Sequence, residues 1–187
     1  MVGVIVPRPI AFVSTLSAGG IRNLAPFSFF TAVSANPPVI CFSPMVRAAD
    51  GSHKDTLNNI RETEEFVVNI VSEDLANQMN ATSGEYGPEI DEFALSKLTP
   101  APSDIVKPPR VAESRVNMEC KLVQIVDVSR EPLGGSIVLG EVVRFHVRDE
   151  LFDNFRIDPD ILNAIGRMGG PTYTRTKDRF DLERPKV

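Results

Sequence analysis

The chain has 187 residues, 42% hydrophobic and 24% charged, and its 25 acidic and 20 basic side chains leave a net charge of −5 at pH 7. That size and mixture suit one globular domain, expected to span residues 1–187, and the acidic balance sets nucleic-acid backbones aside as partners. The apolar start, residues 1–6, is too short for a signal peptide or a membrane span, so a cytoplasmic protein is expected, with no membrane partner.

In chain order, residues 10–16 are rich in β-formers, and the turn Ser17-Ala-Gly-Gly20 leads into residues 21–25, which reads as a hairpin. Pro7 and Pro9 cannot donate to a ladder, so the chain enters at a sheet edge. Residues 27–33 and 39–43 are two more extended segments, parted by Asn36-Pro37-Pro38. The spacing of Leu57 and Ile60 predicts a helix over residues 54–61, with Asp55 or Ser52 as its cap. Residues 66–71 read as a buried strand. Residues 72–79 read as a helix capped by Ser72, with Leu75, Ala76 and Met79 on its apolar face. Residues 82–109, rich in proline and glycine, read as one long functional loop.

Farther on, Val116, Met118, Cys120 and Leu122 alternate with Asn117, Glu119 and Lys121, the period of a half-buried strand. The alternation breaks at Leu122-Val123, which predicts a bulge. After a turn over residues 129–135, the return strand over 136–147 sets Val143, Phe145 and Val147 on one face and Arg144 and His146 on the other. A short helix over residues 159–165 and the turn Gly166-Arg-Met-Gly-Gly-Pro171 lead into an extended tail, residues 170–187. Strands joined by hairpins rather than by long helices predict an antiparallel barrel, not a Rossmann sheet.

The chain has no GxGxxG, no GxxxxGK[ST], no HExxH and nothing like a nucleophile elbow. Cys41 and Cys120 lack CxxC spacing and read as buried reduced thiols, and the two histidines stand far apart, so no metal site is expected. Any chemistry then falls to a bound cofactor.

Several motifs occur in order: Pro7-Arg-Pro-Ile-Ala-Phe-Val-Ser-Thr15, Asn23-Leu-Ala-Pro-Phe-Ser-Phe-Phe30 and Asn36-Pro-Pro-Val-Ile-Cys-Phe-Ser43. Lys54-Asp-Thr-Leu-Asn-Asn-Ile60, Thr63-Glu-Glu-Phe-Val-Val-Asn69, Gly140-Glu-Val-Val-Arg-Phe-His-Val147 and Gly166-Arg-Met-Gly-Gly-Pro-Thr-Tyr173 complete the set. Together they resemble the flavin reductase-like FMN-binding family, which includes flavoredoxin. The resemblance implies a mostly β, antiparallel Greek-key split barrel with a few peripheral helices, and a homodimer with FMN in a cleft near its interface. It implies an NAD(P)H-dependent flavin reductase that passes electrons through FMN to free flavin, a partner monooxygenase or another acceptor. The alternative is an FMN-bound electron carrier without nicotinamide activity. Family members usually carry a further stretch before Pro-Arg-Pro, and here a short or missing first element is expected.

The residues give this expectation a chemical form. A phosphate suits a helix N-terminus with a lysine, which Lys54 and Thr56 supply, with Ser43 and Arg47 on the incoming loop. Pro26 removes a ladder donor, which is expected to free the backbone of Ala25, Phe27 and Ser28 for the polar edge of a ring, with Asn23 beside them. The resemblance implies further flavin contacts from Ser14 and Thr15, and from Arg167 and Tyr173 around the Gly-Gly-Pro turn. No side chain is expected to act as acid or base. His146 reads as a structural group, with a flavin or nicotinamide contact as its alternative.

Overall fold

The computed structural model describes residues 1–185. Four strands open it: β1 (Ala11–Leu16), β2 (Arg22–Phe27), β3 (Phe30–Ala35) and β4 (Pro38–Phe42). Helix α1 (Asp55–Thr63) and β5 (Glu65–Ile70) follow, then a single 3₁₀ turn, Glu73–Leu75, that runs into α2 (Ala76–Ala81). Next come α3 (Glu92–Ser96) and the short pair β6 (Pro100–Ala101) and β7 (Arg110–Val111). Two long strands, β8 (Val116–Asp127) and β9 (Ser136–Val147), make a hairpin. The small hairpins β10 (Phe152–Asp153)–β11 (Arg156–Ile157) and β12 (Ile165–Arg167)–β13 (Tyr173–Arg175) flank α4 (Pro159–Leu162).

Seven strands pair antiparallel in the order β2-β1-β5-β8-β9-β4-β3. The two ends of that order, β2 and β3, are consecutive in the chain and parted only by Ser28 and Phe29. One bent run of backbone therefore serves both edges and closes the sheet into a split barrel, with the bend as its seam. The Phe29 carbonyl at the bend accepts the Ser43 N–H at 2.9 Å.

Alternation along β1 divides the core. Ala11 and Val13 point into the barrel with Phe27, Phe42, Phe66 and Val68, where Leu57 and Ile60 of α1 join them. Ile10 and Phe12 point outward, into a second cluster with Leu75 and Met79, Phe93, Val111 and Ile165. Burial on both faces leaves β1 with almost no solvent exposure. Gly140 admits the Phe66 ring: a Cβ there would lie 2.2 Å from Phe66 Cζ.

Several expectations are corrected. Helix α1 starts at Asp55 with Lys54 as N-cap and no side-chain cap bond, so neither Asp55 nor Ser52 caps it. Ser72 does precede the next helical turn, but its hydroxyl makes no cap bond. The expected long loop contains α3, whose N-cap Asp91 accepts from Phe93 and Ala94 N–H, and β6, which pairs with β7 just beyond the loop's end. The bulge at Leu122–Gln124 is present, and a second register shift lies at Glu119/Cys120. There β9 carries an extra residue at Val143, so Val138 and Val142 face the core and Phe145 is half exposed. The helix expected over 159–165 stops at Leu162, where Asn163 turns left-handed (φ 46°). Within the expected tail, Tyr173–Arg175 pairs antiparallel with β12, and the last two residues, 186–187, lie outside the described residues.

Candidate functional site

A cleft of about 570 Å³ opens at the barrel seam. Pro26, Phe27, Ser28 and Phe29 of the bend form one wall, and Ser43 and Met45 beyond β4 continue it. Lys54 stands at the mouth of α1, Met79, Asn80 and Ser83 come from α2 and the turn after it, and Arg8 and Ile10 lie on the approach to β1. The β12–β13 hairpin contributes Arg167, Met168, Gly170 and Tyr173.

The cleft thus gathers Pro26, Phe27, Ser28, Ser43, Lys54, Arg167 and Tyr173 from the residues singled out in the sequence. Ser14, Thr15, Asn23, Ala25, Arg47 and Thr56 do not line it. Ser14 Oγ donates to the Pro109 carbonyl at 2.5 Å, under the segment that covers the sheet. Asn23 is the hub of a buried network: its Oδ1 accepts from Thr56 Oγ1 at 2.7 Å and Thr15 Oγ1 at 3.3 Å, and its Nδ2 donates to Glu92 at 3.1 Å. Asn59 donates to Thr15 at 3.0 Å, which ties α1 to β1. Burial pushes the Glu92 carboxyl above its ordinary pKa, against the opposing pull of the Leu24 N–H and Asn23.

Pro26 does not break the ladder. It pairs in register with Phe12, and β2 is an edge strand whose outward groups need no ladder partner. The Leu24 N–H, which faces off the sheet, is taken by Glu92 Oε2 at 3.0 Å. Alternation therefore turns the N–H groups of Ala25 and Phe27 toward β1, and the bend itself, Ser28–Phe29, lies outside that ladder.

Arg47 is engaged elsewhere. Its Nη2 pairs with Asp55 Oδ2 at 2.8 Å and its Nη1 donates to the His53 carbonyl at 2.8 Å, so it braces the loop before α1. Lys54, next to that brace, has no carboxylate partner among the described residues. As the N-cap residue, Lys54 stands at the positive end of the α1 dipole.

Arg8 is a cleft residue that the sequence motifs did not single out. It is 6% exposed, and its guanidinium donates to Ser28 Oγ (3.3 Å) and to the carbonyls of Val2 (2.6 Å), Ile5 (2.7 Å) and Met168 (3.0 Å). The Phe29 ring centroid lies 5.8 Å away. The only local signal is an arginine held between two prolines at the entry to an apolar strand. Arg167 donates to the Tyr173 hydroxyl and lies over its ring, 4.5 Å from the centroid. Three cations, Arg8, Lys54 and Arg167, line the cleft, and among the described residues no carboxylate does. In a chain of net charge −5 this is a local inversion of sign that favours an anion.

His146 is not in the cleft. Its Nε2 lies 2.5 Å from Glu119 Oε1 and 4.0 Å from Asp104 Oδ2, three ligand-type groups that the sequence keeps far apart. Glu119 also receives the N–H groups of Asp104 and Ile105 at 2.7 Å and Val106 at 3.0 Å. Its oxygens are therefore saturated, and the cluster anchors a loop. Both cysteines are free thiols.

The fold and the cleft define the class of this protein: an antiparallel split barrel with a cationic cleft at its seam. The chain belongs to the flavin reductase-like family: the model for the flavin reductase like domain matches residues 3–169. An uncharacterized protein of Aquifex aeolicus is 42% identical over 176 residues, 94% of this chain and 87% of that protein. The crystal structure of nitrilotriacetate monooxygenase component B from Bacillus cereus superimposes with a TM-score of 0.91 at 37% identity, covering 97% of this chain and 90% of that one. The 2-nitrobenzoate 2-nitroreductase of Pseudomonas fluorescens gives 0.88 at 37% identity, covering 98% and 88%. No helix is long and apolar enough to cross a membrane among the described residues.

Proposed function

We propose that this chain binds FMN in the seam cleft and works as an NAD(P)H-dependent oxidoreductase. The observation that carries this reading is the cleft's three cations without a carboxylate, set among apolar and aromatic side chains. A volume of about 570 Å³ falls in the range of cofactor sites. Phe27, Phe29, Met45 and Tyr173 supply flat or adaptable apolar walls, as a tricyclic ring requires. Lys54, the first N–H groups of α1 and the Ser43 hydroxyl fit the phosphate. The backbone at Ser28–Phe29 fits the polar edge of the ring. Ser14, Thr15, Asn23 and Thr56 act behind this surface, holding β1 and α1 in place.

FMN, when bound, supplies the capacity to accept a hydride and pass electrons on. The protein's share is positioning: the walls would hold the ring flat, the bend would fix its edge, and the open side of the cleft would admit a nicotinamide. No side chain in the cleft is placed as a general acid or base. The acceptor is free flavin or a partner oxygenase, a reading that the Bacillus cereus relative's place in a monooxygenase supports. Val33, Val123, Val126 and Phe145 are exposed apolar side chains of β3, β8 and β9, of the kind that a second copy would cover in a homodimer. Free thiols accord with a reducing cytoplasm.

The deciding experiment is an absorbance spectrum of the purified protein with mass analysis of any released chromophore, followed by anaerobic addition of NADH or NADPH. Yellow protein that releases FMN and bleaches supports the oxidoreductase. Colour that persists at millimolar nucleotide makes it a one-electron carrier, and colourless protein that takes up no FMN overturns the reading.

A further inference from the structure

We infer that Arg8, bridged to Arg167, forms a second cationic pole of the cleft that sets the redox balance of the bound cofactor by favouring its more negatively charged state. The inference rests on FMN occupying the cleft. Arg8 and Arg167 are antiparallel bridge partners, with Arg8 N–H to Arg167 O at 3.0 Å and Arg167 N–H to Arg8 O at 2.8 Å. Bridge partners project to the same side, and like charges directly opposite repel. No carboxylate among the described residues pairs with either guanidinium. Arg8 is a cation only 6% exposed and unneutralised, which is costly, and Arg167, half-buried, lines the same cleft, so the pair is suited to meet an anion there.

A guanidinium has five N–H groups, and Val2, Ile5, Ser28 and Met168 accept four of them from Arg8. These neutral oxygens orient the group without cancelling its charge, and one Nη2 N–H remains uncommitted. The anion is not best read as the phosphate, for which Lys54 and the start of α1 suffice on a different element. Arg8 is fastened instead to Ser28 and lies against Phe29, the bend that fits the ring edge. A hydride delivers two electrons and one proton, so the ring gains one negative charge on reduction, whereas the phosphate charge stays the same. A fixed cation at the bend therefore stabilises the reduced form more than the oxidised form, most strongly in a site shielded from water.

The test measures FMN midpoint potential and oxidised-FMN affinity in the wild type, Arg8→Met, Arg8→Lys and Arg167→Gln. Arg8→Met is expected to weaken reduced FMN about tenfold more than oxidised FMN, which lowers the two-electron potential by about 30 mV. Arg8→Lys, which keeps the charge, is expected to hold most of the wild-type potential. An unchanged potential in Arg8→Met, or equal weakening of both redox forms, overturns the inference and makes Arg8 a structural or phosphate group. Should Arg8→Met fail to fold, Arg167→Gln carries the test: a lowered potential supports the inference, and a wild-type potential overturns it. Wild-type protein that takes up no FMN at all is a different result and overturns the functional reading instead.

Discussion

His146 Nε2 sits 2.5 Å from Glu119 Oε1, and Glu119, fully buried, is the point where the loop over residues 104–106 is fastened to the barrel. Burial alone would raise the Glu119 pKa. The bonds from Asp104 N–H, His146, Ile105 N–H and Val106 N–H outweigh it and hold the group at about 2, against an ordinary 4.5. A depressed carboxyl pKa stabilises the fold above the unfolded value and loses that contribution as pH falls through the folded one. Stability is therefore expected to drop between about pH 4.5 and pH 2, with Glu119 alone accounting for about 3 kcal/mol. Urea unfolding across that range checks it. Glu119→Gln should be less stable at pH 7 and flatter with pH, and a variant as steep as the wild type would refute the assignment.

Gly140→Ala should destabilise the fold by about 1–3 kcal/mol, because the new methyl meets the fully buried Phe66 ring. Thermal melting reads this directly. A paired Phe66→Leu change should recover part of the loss, since it removes the ring edge that clashes.

Lys54→Ala should weaken FMN binding about tenfold, the worth of one charge-assisted hydrogen bond, and make binding less steep with salt. Arg47→Ala should act differently, through the loop before α1, because Arg47 is already paired with Asp55. Titrations of FMN at two ionic strengths separate the two. An unchanged affinity in Lys54→Ala would remove the phosphate from this helix end.

Cys120 should resist thiol reagents in the native state. Burial pushes its thiol far up, the Glu119 charge adds to the effect, and no side-chain surface is exposed. Cys41 is only partly buried and should be labelled first, so timed mass spectrometry should show one modification, then a second at the rate of unfolding.

The barrel was legible because its signals are local: period-2 alternation, turn residues between strands, and a break in alternation at Leu122-Val123. Helix α3 was not, since it has five residues and is held from outside, by Arg22 on Asp91 and by Glu92 reaching back to Asn23 and Leu24. Asn23 and Thr56 looked like ligand groups because they are polar and near the right motifs, but their polarity is consumed in fastening α1 to the sheet. Arg8 was invisible as a cleft residue for the opposite reason. Its partners Met168 and Arg167 lie about 160 positions away, and only the closed barrel brings them together.

The seam at Ser28–Phe29 joins the two ends of the sheet and also walls the cleft. A molecule lodged there would touch both halves of the barrel at the place where backbone rungs run out, and would work as a rivet. Occupancy and mechanical integrity would thereby be linked: each increment of ligand would raise the melting temperature by mass action, and its loss would be expected to loosen the joint before the interior.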